Sequence, residues 1–276
     1  MDGFDTAAKT WSVHIPGCGT LSEPWDPDPQ HLQKWSEERS YPLIVVFGGI
    51  PVQGKYFPFK DLQAETSYTS GTYMWDYMRD REGSYHIFVA DSPEVDGPAA
   101  YQKLMSLLHA TDRTPSRQIL YLFSGGYLPG KNLLDPKAGG VGPAPFKQIF
   151  LVDIWMKAPP LLDKDGKPLL DPTTGKPLLD PTTLKPVLDP ITLKPVMDPK
   201  TQKPLLDRTL QHFYVNLATA PVNKAKTYYV YTSFGANNPE ARDDIAKTLG
   251  NRAIKVEGEG MAVHVSTNAT AVPLIL

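Results

Sequence analysis

Six short apolar runs, set apart by helix-like stretches, constrain what this chain can fold into more than any other feature. They cover 41–47, 85–90, 118–123, 147–153, 227–233 and 253–257 and are rich in Val, Ile, Tyr and Phe. Short runs that are apolar on successive residues, rather than on alternate ones, read as strands buried on both faces. The stretches between them predict helices at 67–79, Gly97–Ala110, 207–218 and Pro239–Leu249. The last carries its own start and stop signals. Asn238 can cap it, Pro239 suits the first helical position, Glu240 and Asp243 favour the N-terminal dipole, and Gly250 ends it. Such alternation predicts an α/β fold, a mostly parallel, doubly wound sheet covered by helices on both faces. The stretch 11–15 predicts an additional edge strand.

One segment breaks the alternation. Between the fourth and fifth apolar runs lies a proline-rich array with a period of nine residues, typified by Leu178-Leu-Asp-Pro-Thr-Thr-Leu-Lys-Pro186. Asp-Pro at the first two positions of a turn favours type I geometry, and two prolines per unit exclude an α-helix. The expected organisation is a core made of 1–158 and 208–276, with the array at 159–207 inserted as a cap, an arm or a flexible segment. Such an array offers a surface for a protein partner.

The net charge is -2 and the isoelectric point about 6.3, with no cluster of Lys or Arg, so no nucleic-acid partner is expected. Cys18 is the single cysteine, which rules out an internal disulfide. The histidines are scattered and show no metal-ligand spacing. No apolar run approaches the length needed to span a bilayer, and the first residues show neither a basic nor an apolar leader region. The default expectation is a cytoplasmic location, with export by a route needing no signal left open.

In an open α/β sheet, reactive groups collect at the carboxyl ends of the strands. Three candidates fall at or after such ends. The run Ile119 to Phe123 stops at Ser124-Gly125-Gly126, where glycines permit a sharp turn that presents a serine. Asp153 ends the next run, and Glu240 is the fallback acid after the run at 227–233. His264 follows the last run and the turn Gly258-Glu-Gly260, and is expected in a loop. A serine, a histidine and an aspartate within reach of one another make an activated nucleophile. Stabilising the oxyanion needs two N–H donors, for which Gly125 and the loop at Gly48 and Gly49 are the candidates.

The segments Phe47-Gly48-Gly49, Phe123-Ser124-Gly125-Gly126-Tyr127, Ile149-Phe-Leu-Val-Asp153 and Val263-His264 together resemble the α/β-hydrolase superfamily in order and spacing. The resemblance implies a Ser124–His264–Asp153 triad acting on an ester, amide or thioester of a small-molecule or acyl substrate, with no cofactor. It also implies that the array sits where this superfamily often carries a cap. Leu122 stands where the nucleophile motif has a glycine, Phe47 where a histidine is common, and Pro129 and Gly130 fall where a long helix normally follows the nucleophile. Two other readings stay open. One is a catalytically inactive relative that binds partners through the array. The other is a P-loop-like nucleotide site at Gly49-Ile-Pro-Val-Gln-Gly54-Lys55, although Tyr56 replaces the Mg²⁺-binding hydroxyl and Pro58 interrupts the helix that must follow.

Overall fold

The computed structural model describes residues 4–5, 10–24, 40–48, 86–92, 94–154, 209–233, 239–258 and 261–275. The expected helix at 67–79, the P-loop-like segment from Gly49 to Lys55 and the array at 159–207 lie outside the described residues.

The described strands form one nine-stranded sheet. They are β1 (Phe4–Asp5), β2 (Thr10–Ile15), β3 (Gly19–Pro24), β4 (Pro42–Phe47), β5 (His86–Ala90), β6 (Arg117–Phe123), β7 (Phe146–Val152), β8 (Thr227–Tyr231) and β9 (Ala253–Lys255). Their order across the sheet is β1-β2-β3-β5-β4-β6-β7-β8-β9. From β5 to β9 every pairing is parallel, and β1 to β3 form an antiparallel arm joined through β3 to β5. All six expected strands form, with ends moved by no more than two residues.

The expected strand at 11–15 forms as part of β2, which pairs with β3 along its length, while the two-residue β1 lies outside it and flanks only Thr10 and Trp11. Strand β3 has a single large apolar side chain, Leu21, and so carries no pattern to betray it.

The central parallel strands β4, β6 and β7 are buried on both faces by alternation. Leu120 and Leu122 of β6 join one core with Leu43, Val45 and Phe47 of β4. Ile119, Tyr121 and Phe123 join the other, with Ile44, Val46, Phe150 and Val152. The first core is covered by α1 (Gly97–Ala110), α2 (Tyr127–Leu134), α3 (Thr209–Thr219) and α5 (Pro239–Leu249), the last after the short α4 (Pro221–Lys224). The second is covered by α6 (Met261–Ala271) and the chain end through Ala271, Val272 and Ile275. Helix α1 shows why these boundaries hold. The Asp96 carboxylate accepts from the Ala99 N–H at 3.1 Å, and Ala100, Tyr101, Leu104 and Leu108 make a buried stripe at helical spacing. No helix among the described residues is long and apolar enough to cross a membrane.

The chain runs from β4 to β5 on one side and then returns to place β6 on the other side of β4. The carboxyl ends of β4 and β6, where Phe47 pairs with Leu122, therefore form the point at which the strand order reverses. Open α/β sheets bind their ligands at such a point.

Candidate active site

Strand β6 ends at Phe123, and the next residue departs from ordinary backbone geometry. Ser124 has φ +52°, in the left-handed region, at a cost of about 1–2 kcal/mol for a residue with a side chain. It opens a single 3-10 turn, Ser124–Gly126, that feeds directly into α2. All three turn residues are buried. Two glycines hold the turn in place. A Cβ on Gly126 would lie 2.0 Å from the Phe47 carbonyl oxygen, so the turn and the end of β4 touch backbone to backbone. A Cβ on Gly97 would meet the Pro129 carbonyl oxygen at 2.2 Å, so α1 closes on α2 in the same way.

Leu122 has a physical explanation. Its side chain is fully buried, and a Cβ on Gly130 would fall 2.4 Å from one of its methyls and 2.5 Å from the other. The missing side chain is on the helix instead of the strand, and the strand–helix approach is kept. Pro129 does no harm, because it falls in the first turn of α2, where N–H groups have no intrahelical partner. The helix is short, ending before Asp135 and Pro136. Tyr214 of α3 steadies it by donating its hydroxyl to the Tyr127 carbonyl, and the Lys131 ammonium lies 5.8 Å from the centre of the Phe213 ring.

Asp153 is the first residue past β7 and also has positive φ, +38°. Its N–H still donates to the Val230 carbonyl of β8 at 2.7 Å. Its carboxylate takes three donors. The Thr232 N–H reaches Oδ1 at 2.8 Å, and the Thr232 hydroxyl reaches Oδ2 at 2.7 Å. His264 Nδ1 lies 2.6 Å from Oδ2. A carboxylate only accepts, so Nδ1 carries the proton in this contact. Both side chains are almost sealed from solvent, at 3% exposure for His264 and 1% for Asp153. Burial first, and then the Asp153 charge, push the neighbouring Tyr229 phenol far above its ordinary range, so it stays neutral.

His264 does not lie in a loop. It sits in the first turn or so of α6, with its buried neighbours Thr267, Asn268 and Ala271 on one face. The loop expectation fails because the described buried residues of this helix are mostly polar, whereas periodicity is sought in apolar residues. The imidazole stacks on the Phe123 ring with centroids 4.8 Å apart and planes 21° from parallel. Phe123 is the residue before Ser124. The histidine bound to Asp153 thus packs against the last residue of β6, next in sequence to Ser124.

The fold is an open, mostly parallel α/β sheet that resembles the α/β-hydrolase fold. A strained serine on a strand-to-helix turn, an acid after the next strand and a histidine from the chain's last helix follow the order Ser…Asp…His of that fold. Solved structures similar to the chain include a thioesterase domain from the curacin biosynthetic pathway, at 13% identity and a TM-score of 0.43, over 96% of this chain and 98% of that one. A carboxyl esterase of the mycorrhizal fungus Tuber melanosporum matches at 15% identity and a TM-score of 0.49, over 96% and 83%. A Bacillus licheniformis lipase matches at 14% identity and a TM-score of 0.43, over 95% and 97%. No family model matches the sequence, and no curated protein does.

Of the candidates, Ser124, Gly125, Asp153, His264 and Gly48 all lie at the carboxyl end of the sheet, Gly48 buried directly after Phe47. Gly49 lies outside the described residues. Glu240 falls in the first turn of α5, as its helix signals suggest, and the carboxylate bonded to the histidine is that of Asp153. Cys18 is a buried core thiol beside Leu21. Among the described residues, no group of three His, Cys, Asp or Glu side chains is placed to hold a metal ion.

Thr232, Phe123 and Asn268 escaped sequence reasoning. For Thr232 a signal existed: a threonine just past a strand next to the acid's strand can reach across to it. For Asn268 the signal is its position one helical turn after the histidine.

Proposed function

We propose that the chain is a serine hydrolase that cleaves an ester, amide or thioester of a small-molecule or acyl substrate. One observation carries the reading. A buried imidazole, bonded through Nδ1 to a carboxylate, is stacked on the residue that precedes a serine held at positive φ. Left-handed backbone at a non-glycine residue persists only where the surroundings impose it, and such strain concentrates at functional sites.

In this reading Ser124 Oγ attacks the carbonyl carbon while His264 Nε2 takes its proton. Asp153 holds the ring in the tautomer that leaves Nε2 free to accept, and it stabilises the imidazolium that forms. The tetrahedral oxyanion is met by the N–H of Gly125 and by N–H groups of the loop at Gly48 and Gly49. Collapse expels the alcohol, amine or thiol, which receives the proton from His264. Water then attacks the acyl-enzyme, giving its proton to His264, which returns it to Ser124 Oγ as the acyl–oxygen bond breaks and the acid product leaves. No cofactor takes part in these steps.

The test is labelling by a fluorophosphonate probe, which phosphonylates an activated serine. Wild type should label and Ser124→Ala should not, with no loss of thermal stability in the variant. Equal labelling of both would remove Ser124 from the mechanism. No labelling of either would favour an inactive fold that works by binding.

A further inference from the structure

The elements that carry the proposed serine and histidine are joined by a second contact, one turn away from the chemistry. The Tyr121 hydroxyl on β6 donates to Asn268 Oδ1 on α6 at 2.7 Å, with both groups fully buried. Tyr121 and Phe123 lie on the same face of β6, two residues apart, so their separation is roughly 6.6 Å. Asn268 and His264 lie on the same face of α6, four residues apart, so theirs is roughly 6 Å. The two spacings match. Phe123 can stack on His264 while Tyr121 bonds Asn268, and a slip of the helix by one residue would break both contacts.

The two contacts differ in what they can specify. A ring stack tolerates sliding, whereas a hydrogen bond is directional. The buried side chains described on α6 are His264, Thr267, Asn268 and Ala271, and only the alanine is apolar. No large apolar knob among them locks this helix in rotation. The Thr267 hydroxyl turns back to the His264 carbonyl at 2.6 Å and so stays within the helix. Tyr121 is itself held rigidly, with its ring stacked on Phe150 at 5.8 Å and Phe150 on Tyr228 at 4.9 Å. Burial keeps the Tyr121 phenol protonated, and so a donor, far above its ordinary range.

We infer that Tyr121 and Asn268 are positioning residues, a polar clasp that sets the axial and rotational register of α6 and so places His264 between Asp153 and Ser124. The inference rests on the serine-hydrolase reading for its effect on reactivity, and on the His264–Asp153 contact alone for its effect on structure.

The experiment uses the full chain and two readouts. One is the rate of fluorophosphonate labelling, separated into the limiting rate and the probe's saturation constant. The other is the downfield proton resonance of His264 Nδ1–H, assigned by its loss in His264→Ala. Tyr121→Phe should lower the limiting labelling rate by about 10-fold to 100-fold at an unchanged saturation constant, the size expected of a misplaced catalytic group. It should also broaden the resonance. Tyr121→Phe with Asn268→Leu replaces both partners by apolar groups, and should regain thermal stability without regaining the rate.

A double variant that recovers rate and stability together would overturn the clasp, because only an unpaired buried amide would then have mattered. So would a Tyr121→Phe protein with wild-type rate and resonance. A wild type that does not label, with a resonance that still responds to Tyr121→Phe, would sink the hydrolase reading and leave the clasp supported. If neither responds, both ideas fail.

Discussion

Gly130→Ala adds a methyl group where Leu122 already stands. The new Cβ would lie 2.4 and 2.5 Å from the two Leu122 methyls and 3.0 Å from Cγ. Carbon atoms in contact prefer about 3.5–4.0 Å, so the shortfall exceeds roughly 1 Å against both methyls at once. Both methyls clash at once, and Leu122 is fully buried in the core between sheet and helix. Overpacking of this kind costs about 1–3 kcal/mol. Replacing a helix-interior glycine by alanine returns roughly 1 kcal/mol. The single variant should therefore be destabilised by about 1 kcal/mol, with an upper bound near 2 kcal/mol. Leu122→Ala alone should cost about 2–5 kcal/mol through lost contacts and a cavity. In that background the clash is gone, and Gly130→Ala should stabilise, by up to about 1 kcal/mol from helix propensity. The sign of one substitution thus reverses with the state of the other, a coupling of about 2 kcal/mol, inside the range seen for residues in contact. Urea unfolding of the four proteins measures it, provided the slopes agree. Leu122→Gly, which restores the glycine of the usual motif, should be at least as damaging as Leu122→Ala. If Gly130→Ala has the same sign and size in both backgrounds, the glycine has not moved from strand to helix, and Leu122 needs another account.

The remaining predictions concern the acid, the serine and the far end of the sheet. Thr232→Val removes one of the two Thr232 donors to Asp153 and keeps the N–H bond at 2.8 Å. A hydrogen bond to a charged group contributes about 1.5–3 kcal/mol, so the variant should lose roughly that much stability in urea and turn over several-fold more slowly; wild-type behaviour in both would show the hydroxyl to be dispensable. Ser124→Gly relieves the left-handed strain at φ +52°. It should abolish labelling while raising stability by about 1 kcal/mol, and a fall in melting temperature would mean that the turn is not strained. Burial pushes the His86 imidazole from 6.5 down to about 4. Below pH 6.5 the unfolded chain takes up a proton that the native chain refuses until about pH 4, so stability is full above 6.5 and falls as pH drops through that window. The loss should be on the order of 3 kcal/mol. His86→Phe should flatten that slope, and an unchanged slope would assign acid sensitivity to other groups.

The sheet was legible because apolar residues reveal it. Each of Ile44, Val46, Tyr121 and Phe150 faces one core while its neighbours in sequence face the other, and that double burial is what makes a strand apolar on every residue. Strand β3 was illegible for the converse reason: with Leu21 as its one large apolar residue, it is specified by its antiparallel pairing with β2 and β5 and not by its own pattern. Ser124 and Asp153 were legible because each follows a strand end, where chain direction and chemistry coincide. The role of Gly130 could not be read, since a close approach between Leu122 and a residue eight positions later is a three-dimensional fact.

Helix α6 shows the deeper limit. A helix that delivers a histidine to a buried carboxylate must turn polar groups inward, and burying a charge-bearing pair is costly unless its remaining lone pairs and protons are satisfied. Here the carboxylate is satisfied by two Thr232 donors and the imidazole, the histidine's carbonyl by Thr267, and the amide oxygen one turn on by Tyr121. Apart from the Thr267 bond back to the His264 carbonyl, those partners lie on different elements, so the bonds leave no hydrophobic periodicity to read. The same polar face that hides the helix from hydrophobic periodicity also sets its register, because a directional bond rejects a one-residue slip that apolar packing of small side chains would tolerate. What hides this helix from a sequence pattern and what fixes the proposed base are one property: its described buried polar side chains are held by specific hydrogen bonds.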